Sequence, residues 1–138
     1  MINFNYETDF KLKSEETISS WITNTISSEL YKLEEINYVF CDDEYLHKLN
    51  IEFLNHDTLT DIISFDYSIG KIIQGDVFIS IERVKDNAKD FNVTFEEELN
   101  RVIIHGVLHY CGYKDKLEDD AILMRKMENL YLGVLIKE

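Results

Sequence analysis

The sequence predicts an α+β domain in which about five helices pack on a single mixed sheet of three parallel strands and one antiparallel strand. The chain has 138 residues, 45% of them hydrophobic, which is enough for one core and therefore for a single domain at residues 1–138. Strand-like and helix-like runs follow one another in the order β-α-β-α-β-β-α-α-α. Helical crossovers predict that the first three strands are parallel, and a hairpin predicts that the fourth is antiparallel.

The first part of the chain is predicted to contain two strands, each followed by a helix. Residues Ile2–Tyr6 alternate between apolar and polar side chains, as a strand with one buried face does. Ser14 precedes an amphipathic segment and is a suitable N-cap for the first helix. The β-rich run Ile36–Cys41 predicts a central strand, and Asp42 or Asp43 can cap the helix that follows. The inward side of that second helix is predicted to be Leu46, Leu49, Asn50 and Phe53.

A hairpin is predicted after the polar loop Asn55–Thr60. Its strands, Asp61–Tyr67 and Gly75–Ile81, are joined through a turn at Gly70. Residues Glu82–Asp90 then predict a short helix.

The next predicted helix is apolar on several sides and therefore belongs in the middle of the domain. A capping box begins it, in which Thr94 and Glu97 satisfy backbone N–H groups reciprocally. Acidic residues at 118–120 favour the start of a last helix, because negative charge suits a helix N-terminus. The core side of that last helix is predicted to be Leu123, Met127, Leu130, Tyr131 and Val134.

The segment Val102–Asp115, VIIHGVLHYCGYKD, predicts a metal site at the end of the central helix. His105 and His109 stand four residues apart, so a helix places both imidazoles on one side. Gly112 favours a reversal just past the helix, which can return Asp115 towards the two rings. Three N/O ligands with open coordination positions are typical of a catalytic zinc site. The alternative is an ordinary pair of histidines on a buried helix, with Asp115 as a surface carboxylate.

Gly106 bears on the reaction that such a site could support. Metallopeptidases of the H-E-x-x-H type have a glutamate at this position, which acts as the general base. Gly106 has no side chain for that role, so peptide hydrolysis by this route is not expected. A metal can still acidify its bound water and polarise a phosphoryl oxygen, so phosphodiester cleavage fits the site. Apart from metal-bound water, the sequence indicates no catalytic group.

Three motifs together resemble the YbeY family, which consists of bacterial metal-dependent endoribonucleases of ribosomal RNA maturation. Leu59–Phe65, LTDIISF, is similar to the family's T-D-V-L-S-F strand, and Gly75–Ser80, GDVFIS, is similar to its G-D-I-x-I strand. The order and spacing of the motifs agree, and the resemblance extends from about Asn37 to the last helix. The family signature H-G-x-L-H-x-x-G-Y-D-H is matched at His105, Gly106, Leu108, His109, Gly112 and Tyr113.

The resemblance implies a function, a cofactor and a partner for a single YbeY-like metallohydrolase domain. The expected function is that of a metal-dependent, single-strand-specific endoribonuclease in small-subunit (16S) rRNA maturation and ribosome biogenesis. One Zn²⁺ per chain is expected at His105, His109 and Asp115, with another divalent metal as the alternative. Single-stranded rRNA or the small ribosomal subunit is the expected partner, and neither DNA nor a membrane is expected.

The chain departs from the family pattern at the third ligand and at a basic position. The third histidine of the signature falls on Asp115, and the aspartate before it falls on Lys114. A carboxylate oxygen binds zinc at about the same distance as an imidazole nitrogen, so the site can persist with a harder donor set. The family arginine thought to contact the RNA backbone falls on Leu54, where the nearest polar side chains are Asn55 and His56.

Further residues are candidates for the substrate cleft or for orienting a metal-bound histidine. Each also has a structural interpretation: an aspartate can close a turn or cap a loop, and the histidine and lysine can be solvated surface groups. The candidates are Asp61, Asp76, His56 and Lys114.

Composition and charge limit the other functional classes. The sequence has no apolar run of membrane length and no signal-peptide pattern, and its two cysteines are too few for a disulfide framework, so a cytoplasmic location is expected. The net charge of −13 argues against general nucleic-acid binding, which depends on Lys and Arg. Two alternatives stay open: a non-catalytic ribosome-assembly factor with a structural metal, and a metalloprotease-like hydrolase, against which Gly106 counts.

Overall fold

A computed structural model describes residues 1–137 and the side chains of residues 1–135. Its centre is one four-stranded mixed sheet with the strand order β1-β2-β4-β3. The strands are β1 (Ile2–Tyr6), β2 (Lys32–Cys41), β3 (Ile62–Asp66) and β4 (Ile72–Ser80). Within the described range the helices are α1 (Glu15–Ser28), α2 (Asp43–Leu54), α3 (Ile81–Asp90), α4 (Phe95–Tyr110) and α5 (Glu118–Lys137). The predicted class, a mixed sheet of three parallel strands and one antiparallel strand with five helices, is confirmed.

The directions of the last two strands were assigned wrongly from the sequence. β4 runs parallel to β2 in the interior of the sheet, and β3 is the antiparallel strand at the edge. β4 has nine residues and buries Ile73, Val77 and Ile79 completely, as a central strand covered on its faces does. β3 has only five residues, and a short strand suits an exposed edge. The hairpin therefore joins an edge strand to a central one.

Helices cover both faces of the sheet. On one face, side chains of β2 and β4 form the main core with α1, α4 and α5, and Trp21 of α1 is almost completely buried there. On the other face, Leu46 of α2 packs with Cys41, Ile63 and Phe78. Because side chains alternate along β4, Val77 and Phe78 contribute to opposite sides.

Local capping interactions fix where several helices begin. Asp42 caps α2, with its side chain accepting a 2.8 Å hydrogen bond from the backbone N–H of Tyr45. The Thr94 hydroxyl caps α4 and accepts a 3.1 Å hydrogen bond from the N–H of Glu97, which is the hydroxyl half of the predicted capping box. Ser14 holds the N-cap position of α1 without a side-chain cap hydrogen bond.

The inward side of α2 agrees with the prediction except at one residue, whereas α5 presents a different side to the core from the one predicted. Phe53 of α2 is 59% exposed, whereas Leu46 and Asn50 are buried as expected. On α5, Tyr131 is buried as expected and Met127 is partly buried against the core, but three predicted core residues are exposed: Leu123, Leu130 and Val134. The buried stripe of α5 is instead Met124, Glu128, Tyr131 and Leu132. Its spacing is also helical, so the apolar pattern alone did not distinguish the two sides.

No helix in the described part of the chain is both long enough and apolar enough to span a membrane.

Candidate metal centre

The C-terminal end of α4 and the loop after it bring three potential metal ligands together. His105 and His109 lie one helical turn apart on α4. The helix ends at Tyr110, and Gly112 takes a φ of +95°, which a side chain would make unfavourable. The N–H of Tyr113 donates a 3.1 Å hydrogen bond back to the carbonyl of Leu108, which closes the turn.

The three potential ligand atoms form a compact triangle. The Nε2 atoms of His105 and His109 are 3.0 Å apart. One oxygen of Asp115, Oδ2, lies 3.1 Å from the first of these nitrogens and 3.2 Å from the second. A tetrahedral zinc site with bonds of about 2.0–2.1 Å places neighbouring ligand atoms about 3.3 Å apart, which is close to this spacing.

Hydrogen bonds at the opposite ring nitrogens determine which atoms face the centre. Nδ1 of His109 is 2.9 Å from the Tyr113 carbonyl, which can only accept, so this nitrogen carries the proton. Nδ1 of His105 is 2.7 Å from a carboxylate oxygen of Glu128 and donates in the same way. In the neutral rings both Nε2 atoms are then lone-pair acceptors, and they face each other and the Asp115 carboxylate. Such an arrangement is favourable only with a cation or a proton at its centre, so the donor set fits a divalent metal.

Glu128 is the partner of His105 that the sequence analysis missed. It lies on α5 with a side chain that is only 5% exposed, and Arg101 donates a 3.0 Å hydrogen bond to its other oxygen. Arg101 also donates to the amide oxygen of Asn129 at 2.9 Å. Arg101, Glu128 and His105 thus form a continuous chain that ends at the candidate metal centre. A glutamate within the buried stripe of an amphipathic helix was the available signal, but the inward side of α5 had been assigned to other residues.

Charge and burial shift the pKa values of His105 and Glu128 in opposite directions. Burial lowers the pKa of His105, but the hydrogen bond and negative charge of Glu128 outweigh it, so the net pKa is above the ordinary value. Burial raises the pKa of Glu128, but the hydrogen bonds from His105 and Arg101 outweigh it, so the net pKa is below the ordinary value. A metal ion bound at this triangle would therefore compete with a proton for Nε2 of His105.

Asp61 lies in the same cleft as the three potential ligands. It precedes β3 and lines two adjoining depressions of about 350 and 480 Å³, together with His105 and Asp115. Burial raises the pKa of the Asp61 carboxyl group. The Asn87 amide nitrogen is 3.5 Å from its Oδ2, at the limit of a hydrogen bond, so Asp61 retains acceptor capacity towards the cleft.

The other candidates from the sequence do not line the two depressions. The Asp76 side chain accepts a 3.1 Å hydrogen bond from Asn37 on the neighbouring strand, which is a contact within the sheet. His56 is exposed in the loop after α2, and its backbone N–H donates to the carbonyl of Asn50. Lys114 is exposed between Tyr113 and Asp115. The described residues that line the two depressions include none of these three candidates.

Comparisons with known proteins agree with this architecture. The family model described as Endoribonuclease YbeY matches residues 2–135. The Endoribonuclease YbeY of Flavobacterium johnsoniae is 66% identical over 129 residues, which are 94% of this chain and 93% of the relative. The protein of the same name from Karelsulcia muelleri is 48% identical over 138 residues, covering 100% of this chain and 98% of the relative. A solution structure of a Thermotoga maritima protein has a TM-score of 0.73 at 25% identity, covering 98% of this chain and 89% of the other. Because the family model spans nearly the whole sequence and relatives of high identity share its length, this chain belongs to the YbeY family of endoribonucleases.

Proposed function

We propose that the protein is a metal-dependent, single-strand-specific endoribonuclease that acts in small-subunit (16S) rRNA maturation and ribosome biogenesis in the cytoplasm. Membership of the endoribonuclease family supports RNA as the substrate. The observation that carries the metal-dependent part is the triangle of His105 Nε2, His109 Nε2 and Asp115 Oδ2, with all sides between 3.0 and 3.2 Å. Single-stranded rRNA, free or within the small ribosomal subunit, is the proposed partner.

The proposed cofactor is one Zn²⁺ per chain, held by His105, His109 and Asp115. Two imidazole nitrogens and one carboxylate oxygen are a donor set that zinc accepts, and three protein ligands leave a position for substrate or water. When bound, the cation would polarise a phosphoryl oxygen and acidify a water molecule. The carboxylate makes the donor set harder than three imidazoles would be, so Mn²⁺ is the alternative ion that we would test first.

The surrounding residues hold this site in one arrangement. Glu128 fixes the tautomer and the orientation of the His105 ring, and the Tyr113 carbonyl does the same for His109. Asp61 lines the cleft beside them, where its oxygens can accept hydrogen bonds from a water molecule or a ribose hydroxyl. Gly106 offers no carboxylate beside the triangle, which disfavours the metalloprotease-like alternative.

The decisive experiment is cleavage of single-stranded RNA by metal-loaded protein, chelated protein and the His109→Ala variant. We expect cleavage only by the loaded wild-type protein. The matched control is His47→Ala, because His47 lies on α2 and contacts Asp57 rather than the site. Metal analysis of the wild-type protein and Asp115→Ala should show about one ion per chain in the first and loss of that ion in the second. Undiminished cleavage by folded His109→Ala would exclude the proposed role of the triangle.

A ribosome-assembly factor with a structural metal is the second candidate, and one observation favours it. Among the described residues lining the two depressions, the permanent cations are Arg101 and Arg125, and both contact Glu128. The cleft therefore offers little positive charge to RNA. Normal rRNA processing in cells that carry folded His109→Ala in place of the wild-type protein would favour this candidate over the nuclease.

A further inference from the structure

The smaller depression beside His105 is a cleft between three helices, and its chemistry differs from that of the metal centre. One wall is the C-terminal end of α3 with Phe91, the floor is α4 with Glu98, and the opposite wall is α5 with Arg125. We call this region, of about 350 Å³, the α3–α5 cleft. Because His105 and Asp115 also line it, anything bound in the cleft lies next to the metal centre.

The floor of the α3–α5 cleft contains a carboxylate that lacks a partner. Glu98 is only 5% exposed. No donor among the described residues lies within hydrogen-bond or ion-pair distance of its carboxylate, and its interactions with Asp61, Arg101 and Arg125 are longer-range electrostatic ones. Burial raises its pKa. Its oxygens are not among the buried polar atoms without a partner, so they face the open depression and are free to accept a hydrogen bond from a ligand that supplies a donor there.

The two walls supply an aromatic ring and a positive charge. Phe91 ends α3 and is 61% exposed although it is a large apolar residue. An exposed ring beside a polar cleft is the arrangement on which unstacked bases of single-stranded nucleic acids stack. The Arg125 side chain is 59% exposed and touches Glu128 through Nη1 at 3.6 Å, which leaves its other N–H groups for a phosphate.

We propose that the α3–α5 cleft is a nucleobase subsite that selects a base with an exocyclic amino group. In this subsite the base stacks on Phe91, its amino group donates to the Glu98 carboxylate, and Arg125 contacts a neighbouring phosphate. Cytosine, adenine and guanine carry such an amino group and uracil does not. The subsite rests on the proposed function, because it places the selected nucleotide beside the bond to be cleaved.

The test compares three ligands that cannot be cleaved: CMP, UMP and inorganic phosphate. CMP and UMP have similar stacking faces and differ where cytosine carries an amino donor and uracil a carbonyl acceptor. Binding to the metal-loaded, full-length protein is followed by NMR titration, with the Phe91 ring resonances as a direct report of stacking. We expect CMP to bind at least about 10-fold more tightly than UMP, because a hydrogen bond to a charged group is lost with uracil.

Two variants separate the contributions of the floor and the wall. Glu98→Gln should abolish the preference for CMP, because an amide can both donate and accept. Phe91→Ala should weaken both nucleotides by roughly 5- to 150-fold and leave inorganic phosphate unaffected. The matched controls are Glu97→Gln, an exposed glutamate on the same helix turn, and Phe53→Ala, whose ring is similarly exposed at 59% but lies on α2.

Equal affinity for CMP and UMP, or nucleotide binding no tighter than that of inorganic phosphate, would overturn the subsite. The RNA cleavage assay separates this result from failure of the proposed function. Cleavage by a wild-type protein that shows no base preference would support the nuclease function and contradict the subsite. Selective CMP binding without cleavage would support the subsite and contradict the nuclease function.

Discussion

At the residue scale, the orientation of His105 depends on a glutamate from another helix. His105 Nδ1 lies 2.7 Å from Oε2 of Glu128, and Arg101 donates to the other oxygen of the same carboxylate. Carboxylates that accept from a metal-binding histidine fix its tautomer and increase its basicity. At the proposed metal site, the chain from Arg101 to His105 would therefore act through the histidine and not on substrate, which makes Glu128 a positioning residue.

We expect Glu128→Gln to weaken metal binding by roughly 10- to 100-fold, the range typical of such partners. The amide can still accept from Nδ1, but it carries no charge to favour the cation-bound ring. A competition titration with a chromophoric chelator measures this effect directly. Glu118→Gln is the control, because Glu118 begins the same helix and is exposed. An affinity equal to that of the wild type would contradict the positioning role.

At the element scale, α4 is held against the sheet by a close contact with the hairpin. The Tyr110 hydroxyl donates a 2.9 Å hydrogen bond to the Phe65 carbonyl on β3 and approaches the Asp76 carbonyl on β4 at 3.3 Å. A Cβ atom at Gly75 would overlap both this hydroxyl and the Phe65 carbonyl. Gly75 is therefore required for α4, which carries the candidate metal ligands, to approach the sheet this closely.

We expect Gly75→Ala to lower the free energy of unfolding by about 1–3 kcal/mol or more, because backbone and a buried ring must move. Gly106→Ala on α4 is the informative comparison. Its new Cβ would meet the flexible end of the Ile62 side chain at 2.9 Å and Ser64 Oγ at an ordinary 3.7 Å, and alanine favours a helix over glycine by about 1 kcal/mol. Gly106→Ala should thus change stability little. Urea unfolding of both variants measures the difference, and the reverse order would contradict this account.

The contact between α2 and α3 depends on an aspartate and is therefore sensitive to pH. Asp43 accepts hydrogen bonds from the Ser80 hydroxyl at 2.7 Å and from Arg83 at 3.0 Å. Burial raises the pKa of Asp43, but these two partners outweigh it and hold the pKa below its ordinary value. A carboxyl group with a lowered pKa in the folded state stabilises the fold above its unfolded pKa. That contribution is lost as the pH falls through the folded pKa.

We expect Asp43→Asn to be less stable than the wild type by about 1.5–3 kcal/mol at neutral pH, because two hydrogen bonds to a charged group are weakened. The difference should stay constant from neutral pH down to about 4, the pKa of an aspartate in the unfolded chain, and shrink as the pH is lowered further towards the lower folded pKa. Chemical denaturation at several pH values measures it. Asp119→Asn, an exposed change on α5, should remain close to the wild type throughout. A difference in stability that does not change with pH would contradict a stabilising role for the charge of Asp43.

At the scale of the whole molecule, the negative charge limits how RNA can be bound. The net charge is −13, and the cleft contributes two arginines among its described lining residues. Each phosphate contact to a single strand lowers the logarithm of the affinity by about 0.7 per decade of salt. With one or two phosphate contacts, we expect the affinity for RNA to depend only weakly on salt. Stacking and metal contacts would then supply most of that affinity.

We expect the affinity for single-stranded RNA to fall by only about 3- to 7-fold between about 50 and 200 mM salt, which corresponds to a log–log slope of about −0.7 to −1.4. Arg125→Ala should reduce the slope by about 0.7. Lys48→Ala, which removes an exposed cation on α2, should not change it. Fluorescence anisotropy at several salt concentrations gives the slope. A slope steeper than about −3 would indicate a basic RNA-binding surface elsewhere on the protein.

The sequence by itself determined those features that depend on neighbours along the chain. The spacing of His105 and His109, the turn at Gly112 and the return of Asp115 occupy one helix end and one loop, so helix periodicity and glycine geometry were sufficient to bring them together. The fold class followed for the same reason, from alternating local patterns.

Only the tertiary structure decided which strand lies at the edge of the sheet and which side of α5 faces inward. Both depend on contacts between segments far apart in sequence, where several local patterns are equally compatible with burial. The second decision has the larger consequence: it places Glu128 against His105, 23 residues away, and encloses the α3–α5 cleft. The candidate metal ligands are thus encoded locally, whereas the groups that orient them and the cleft beside them arise only when the helices pack.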